Sequence, residues 1–234
     1  MQRVTEATPT VVVIDDDDAV RGSLKLLLKS INIPVTVYAS AQEFLPSYVL
    51  DQPGCLIVDV RMPGLNGLEL QQKLNLRGAM IPVIFISGHG DISMAVEAMQ
   101  HGAFDFLPKP FSDQDLLDRV QRALQKDADN RRQVARSDHI RECLELLTPH
   151  EREVLALIVI GKPNKVMASD LGVSQRTVEI HRARVMEKMQ SGSVAQLVRM
   201  TLAIEDAAKG GLAAQVSAVQ TRNKNGDTSQ DSAT

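Results

Sequence analysis

The chemistry in this chain sits at the ends of short apolar runs. Asp59 closes the run C-L-I-V at residues 55–58, and Pro63, Gly64, Asn66 and Gly67 then punctuate a loop before a helical pattern starts at Leu68. Asp15 and Asp16 follow the β-branched run at 11–14 and open a row of four acids through Asp18. Ser87 follows the apolar run at 81–86, and Lys109 follows the one at 104–107. A carboxylate just past the carboxyl end of a parallel strand lies where open α/β sheets place their ligands. An isolated Val-Asp would mean only a solvated acid at a strand end; it is the company of Asp59 that points further. Carboxylates from residues 15, 16 and 59 in one crevice would repel each other unless a divalent cation joined them, and oxygen-only ligands with open positions suit Mg2+. A cation, the Ser87 hydroxyl and the Lys109 ammonium around one carboxylate would stabilise charge on a transferring phosphoryl group. Asp59 would then be the nucleophile, since carboxylates form aspartyl-phosphates.

These positions meet only if the elements around them build one sheet. Runs at 11–14, 34–38, 55–58, 81–86 and 104–107 read as strands. Helical patterns follow each: Val20 to Ile31, a short one at 41–48 interrupted by Pro46, 68–76, one running to about Gln100 with Asp91 as N-cap, and one from near Asp113 with Leu116, Leu117, Val120 and Leu124 on one side. Five strands alternating with five helices predict a doubly wound five-stranded parallel sheet over residues 10–125. In the order 2-1-3-4-5 the first and third strands are neighbours, which brings Asp15, Asp16 and Asp59 together. Asp17 and Asp18 are read as solvated or N-capping. Residues 126–146, rich in charge, are either a solvated continuation of the last helix or a looser linker without coiled-coil heptads.

A small all-α domain over residues 147–205 comes next. Thr148, Pro149 and Glu151 have capping-box spacing before a helix that ends by Gly161. A second helix, 164–171, stops at Gly172, and Ser174 caps a third that carries Val178, His181, Val185 and Met189. A short helix, a glycine turn and a longer helix with basic positions form a helix-turn-helix pattern. A fourth helix spans 194–204. Residues 206–234 drift into Gly, Ser, Asn, Gln, Asp and Thr and are expected to be a disordered tail.

Charge separates the two halves. Residues 1–124 hold 10 Lys/Arg against 15 Asp/Glu, whereas 160–200 hold 7 against 3, so the halves should meet different partners. Cys55 and Cys143 lack ligand spacing and read as reduced and structural. No signal segment and no run near the ~20 apolar residues of a membrane span is seen, so a soluble, cytoplasmic protein is expected.

The set V-D-D, L-I-V-D-V-R-M-P, F-I-S-G-H-G-D and F-L-P-K-P-F closely resembles the receiver domain of two-component response regulators. That resemblance implies Asp59 as phosphoacceptor, Asp16 as metal ligand, Asp15 acting through water and Arg61 lending its backbone carbonyl to Mg2+. It also implies Ser87 as switch hydroxyl, Phe106 as aromatic switch residue and Lys109 as phosphate-pairing cation, with a cis Lys109-Pro110 bond. The stretch L-T-P-H-E-R-E-V-L with N-K-V-M-A-S-D-L-G-V-S-Q-R-T-V-E-I-H-R-A-R-V-M-E-K-M resembles the LuxR-type helix-turn-helix of the FixJ/NarL subfamily. It implies residues 174–190 as recognition helix and 194–204 as a dimerisation helix. Gln175, Arg176, Thr177, Glu179, Ile180 and Ala183 would approach base edges or backbone, and Asn164, Lys165, Arg182, Arg184 and Lys188 would contact phosphates. His181 is read as either a core histidine or a phosphate contact.

The resulting expectation is a transcription factor, not an enzyme. It would be phosphorylated by a sensor histidine kinase, dimerise, bind promoter DNA and meet RNA polymerase. A haloacid-dehalogenase-type phosphatase also uses an Asp nucleophile, but wants a second acid two residues later, where this chain has Arg61. A stand-alone signalling module would instead use the C-terminal helices to bind protein.

Overall fold

A computed structural model describes residues 8–88 and 92–205; the expected Asp91 cap and the 206–234 tail lie outside the described residues. The chain divides into two compact units between Arg132 and Gln133.

In the first unit, β1 (Thr10–Ile14), β2 (Val35–Tyr38), β3 (Gly54–Asp59), β4 (Val83–Ser87) and β5 (Asp105–Pro108) form one all-parallel sheet of order β2-β1-β3-β4-β5. Helices α1 (Asp18–Ser30), α2 (Ala41–Phe44), α3 (Gly67–Leu76), α4 (Ile92–Gln100) and α5 (Asp113–Glu145) cover both faces. Alternate strand residues point opposite ways, so Val11, Val13, Cys55, Ile57, Ile84 and Ile86 pack on Leu24 and Leu28 of α1 and Leu116 and Val120 of α5. Val12, Ile14, Leu56, Val58 and Phe85 pack on Phe44, Leu70, Leu74 and Ala98 of α2, α3 and α4. Burial on both faces is why these strands read as nearly continuous apolar runs. Burial pushes the Cys55 thiol up to about 12, as fits an unreactive core residue.

One helical expectation changes, and one open alternative is decided. α2 ends at Phe44 rather than running to Tyr48, because Pro46 has no N–H to continue the ladder; Tyr48 instead packs its ring 5.4 Å from that of Phe44. α5 runs unbroken to Glu145, so the charged stretch is a helical continuation rather than a loose linker.

The second unit holds α6 (Pro149–Val159), α7 (Asn164–Leu171), α8 (Gln175–Lys188) and α9 (Val194–Glu205). Thr148 and Glu151 form the expected capping box, Gly172 takes the left-handed conformation that closes α7, and Ser174 caps α8 by accepting from Thr177 N. Ile140 and Cys143, near the end of α5, join Leu155, Met167, Val178, Val185, Met189 and Leu197 in the core. Among the described residues no helix is long and apolar enough to cross a membrane.

Candidate functional site

The carboxyl ends of β1, β3, β4 and β5 carry the chemistry. Register explains the meeting: Ile14 pairs with Val58, Asp59 with Ile86 and Ser87 with Pro108, so Asp15, Asp59, Ser87 and Lys109 end up side by side. Asp59 is 7% exposed and Asp15 1%. Lys109 Nζ donates to Asp59 Oδ1 at 2.9 Å and to Asp15 Oδ2 at 3.0 Å, bridging the two acids. The Arg61 amide donates to Asp59 Oδ2 at 2.7 Å, fixing the carboxylate against the chain that follows it. The Lys109 amide donates to the Ser87 carbonyl at 2.7 Å, and the Ser87 side chain is buried beside it. The Lys109-Pro110 bond is cis. Phe106 is half-buried, paired with Phe85 across β4 and β5 and packed against the core.

Electrostatics follow from this geometry. Burial raises the Asp15 carboxyl, opposed by the Asp17 amide that donates to it and by Lys109. Burial draws Lys109 down, but the Asp59 and Asp15 carboxylates together outweigh it, and its net direction is up. The ammonium therefore stays charged where phosphoryl charge would arrive.

The three expected carboxylates differ in their surroundings. Asp16 is exposed and lines a depression of about 450 Å3 with Arg61, Met62, Asn66 and Met94, while Asp15 and Asp59 form a Lys109-bridged pair. Among the described residues no three His, Cys, Asp or Glu side chains close into a metal cage. The donor set still fits Mg2+, which takes one or two carboxylates and keeps several waters. Asp17 caps α1 by accepting from Ala19 N at 2.8 Å, and Asp18 is exposed and paired with Arg21.

Three features escaped the sequence reading. Arg21 Nη1 donates to the Asp15 carbonyl at 2.7 Å, bracing the acid from α1. At Gly67 a Cβ would lie 2.5 Å from the Asp59 carbonyl oxygen, so only glycine lets α3 start this close to the phosphoacceptor candidate. Asp127, 2% exposed, accepts from the Gly54 amide at 2.9 Å and from Arg131 Nε at 2.8 Å, while the other Arg131 nitrogens donate to the Asp51 and Gln52 carbonyls. Asp127 and Arg131 are an i, i+4 pair on one helix, but their bonds to Gly54, Asp51 and Gln52 bridge distant stretches that no local pattern announces.

In the second unit Val178, Val185 and Met189 face the core, which turns Arg176, Ile180 and Ala183 to the opposite side of α8. Gln175, Glu179, Arg184 and Lys165 are exposed; Thr177, Arg182 and Asn164 are half-buried. The Thr177 hydroxyl meets Ser174 Oγ at 2.8 Å within the cap. Lys188 differs from the other expected cations. Its ammonium lies 2.6 Å from Glu151 Oε2 and donates to the Leu146 carbonyl at 3.0 Å, so it is engaged within the domain although its side chain is one-third exposed. The pairing holds the 2% exposed Glu151 down at about 2, against burial. His181 is half-buried, with Nδ1 unpartnered among the described residues and its ring 6.3 Å from that of His150.

The class comes from comparison with known proteins. Residues 11–121 match the response regulator receiver domain, and residues 145–201 match the bacterial regulatory proteins of the luxR family. The solved structure of response regulator StyR aligns at a TM-score of 0.76 with 42% identity, covering 83% of this chain and 98% of that one. Full-length FixJ from B. japonicum aligns at 0.53 with 39% identity, covering 84% and 97%. The transcriptional regulatory protein FixJ of Azorhizobium caulinodans is 49% identical over 192 residues, 82% of this chain and 91% of its own. Nodulation protein W of Bradyrhizobium diazoefficiens is 43% identical over 199 residues, 84% and 88%. The chain belongs to the FixJ-like response regulators of two-component systems, which join a receiver domain to a LuxR-type DNA-binding domain. Its relatives are transcriptional regulators and not enzymes, which removes the phosphatase reading. Its two domains imply a kinase and DNA as partners, and receiver domains generally use Mg2+ at the phosphorylation site.

Proposed function

We propose that, in the cytoplasm, Asp59 accepts a phosphoryl group from a sensor histidine kinase. A carboxylate oxygen of Asp59 attacks phosphorus as the donor's nitrogen–phosphorus bond breaks, leaving an aspartyl-phosphate. The observation that carries this is Lys109, whose ammonium bridges Asp59 and Asp15 and is placed to pair with the added charge. Asp16, Asp59, the Arg61 carbonyl and, through water, Asp15 would hold Mg2+, which when bound screens the acids and the incoming phosphoryl oxygens.

Phosphorylation then draws the Ser87 hydroxyl toward Asp59, and the Phe106 ring fills the space behind it. The surface of α4, β5 and α5 repacks and pairs with a second copy. In support, Ile92, Val96 and Met99 recur on one side of α4 and are exposed, with Ile92 at 80%. Pairing presents two α8 helices to half-sites about one helical turn apart, ~34 Å, on promoter DNA, where the dimer meets RNA polymerase. Gln175, Arg176, Thr177, Glu179, Ile180 and Ala183 face base edges or backbone; Asn164, Lys165, Arg182 and Arg184 contact phosphates.

Sedimentation before and after treatment with acetyl phosphate and Mg2+ tests the coupling. Wild type is expected to dimerise, and Ser87→Ala to take up phosphate yet stay monomeric. A Ser87→Ala protein that dimerises normally refutes the switch.

A further inference from the structure

The outward face of α8 is unusual for a nucleic-acid reader because its middle is aliphatic. Arg176, Ile180 and Ala183 stand at i, i+4 and i+7, opposite the buried Val178 and Val185. Ile180 is 43% exposed, and Ala183 is exposed beside it. Charged residues stand to either side: the Glu179 carboxylate on one flank, tied to Arg176 at 3.5 Å, and the Arg184 cation, which would favour phosphate, on the other. A single exposed isoleucine on a surface is ordinary. Two aliphatic residues on the line that the start of a recognition helix presents to the major groove are a different matter. Neither can donate or accept a hydrogen bond, so neither can read guanine, cytosine or the amino group of adenine. The one apolar group in the major groove is the thymine C5-methyl.

We infer that Ile180, with Ala183, reads thymine methyls in the half-site, and that the operator carries thymine opposite the centre of α8. This rests on the DNA-binding reading given above. Specificity at those base pairs comes from exclusion of water between methyl and side chain, and affinity comes separately from the cations set against phosphates, Lys165, Arg182 and Arg184. Salt should therefore weaken binding to all sequences alike and leave the thymine preference unchanged.

The test uses full-length protein treated with acetyl phosphate and Mg2+. Bound duplexes are selected from a random library, and each thymine of the selected duplex is then replaced in turn by uracil, which removes only the methyl. At one or two positions per half-site wild type should bind the uracil duplex about fourfold more weakly, the ratio for one buried methylene-sized group. Ile180→Ala should bind the thymine and uracil duplexes nearly equally at one of them. Uniform tolerance of uracil by wild type overturns the inference, and so does a uracil penalty that Ile180→Ala keeps at every position. Failure to enrich any duplex is a different result: it would overturn the DNA-binding reading beneath it. The uracil series on wild type needs no variant, so misfolding of Ile180→Ala would not shield the inference.

Discussion

Lys188 tests how far structure should override motif. If its ammonium is an interior partner of Glu151, Lys188→Met leaves a buried carboxylate with only the Thr148 cap as partner. The downward displacement of Glu151 from 4.5 to about 2 corresponds to about 3 kcal/mol of preference for the charged form. Part of that belongs to Thr148, and Lys188 is 33% exposed and partly screened, so the expected loss is about 1–3 kcal/mol. For a domain of this size that is a drop of roughly 4–8 °C in melting temperature per kcal/mol. The sign with pH is fixed. A carboxylate held low contributes its stability in full above about 4.5, and the contribution drains away as pH falls toward about 2. Calorimetry of full-length wild type and Lys188→Met should show the second domain's transition separate at pH 7 and converge as pH falls below 4. An unchanged transition at pH 7, with a salt dependence of DNA binding flatter by about one counterion, would refute the interior assignment and restore Lys188 to the phosphate contacts.

Asp15→Asn should stabilise the receiver near pH 7 while reducing phosphoryl uptake, because burying this acid charged is unfavourable. The raised acid costs stability above its folded pKa and not below its unfolded one, so the gain should fade as pH falls toward 3.8; urea unfolding across pH measures it. Asp127→Ala should destabilise the receiver by about 1–3 kcal/mol by stranding the Gly54 amide and Arg131, and hydrogen exchange should rise at Gly54 first.

The sheet order and the convergence of Asp15, Asp59, Ser87 and Lys109 were legible because each follows an apolar run at a strand's carboxyl end, and topology then fixes neighbours. The helix starts at Thr148 and Ser174 were legible for the same local reason: caps act within three residues. What could not be read depends on tertiary distance. Lys188 looks like any helical cation until α6 brings Glu151, 37 positions away, to its ammonium. Asp16 and Asp15 are adjacent in sequence, yet backbone direction turns one to solvent and buries the other. Gly67 passed as loop punctuation, although its missing side chain is what admits α3 beside Asp59.

The most direct test of the account is to locate the phosphoryl group. Full-length protein is incubated with acetyl phosphate and Mg2+, the acyl phosphate is reduced with borohydride, and peptides are read by mass spectrometry. The account predicts modification at Asp59, its loss in Asp59→Asn, and its suppression by chelation, since Asp15 and Asp59 would otherwise repel the anion. Modification of Asp59→Asn to the wild-type extent would contradict it.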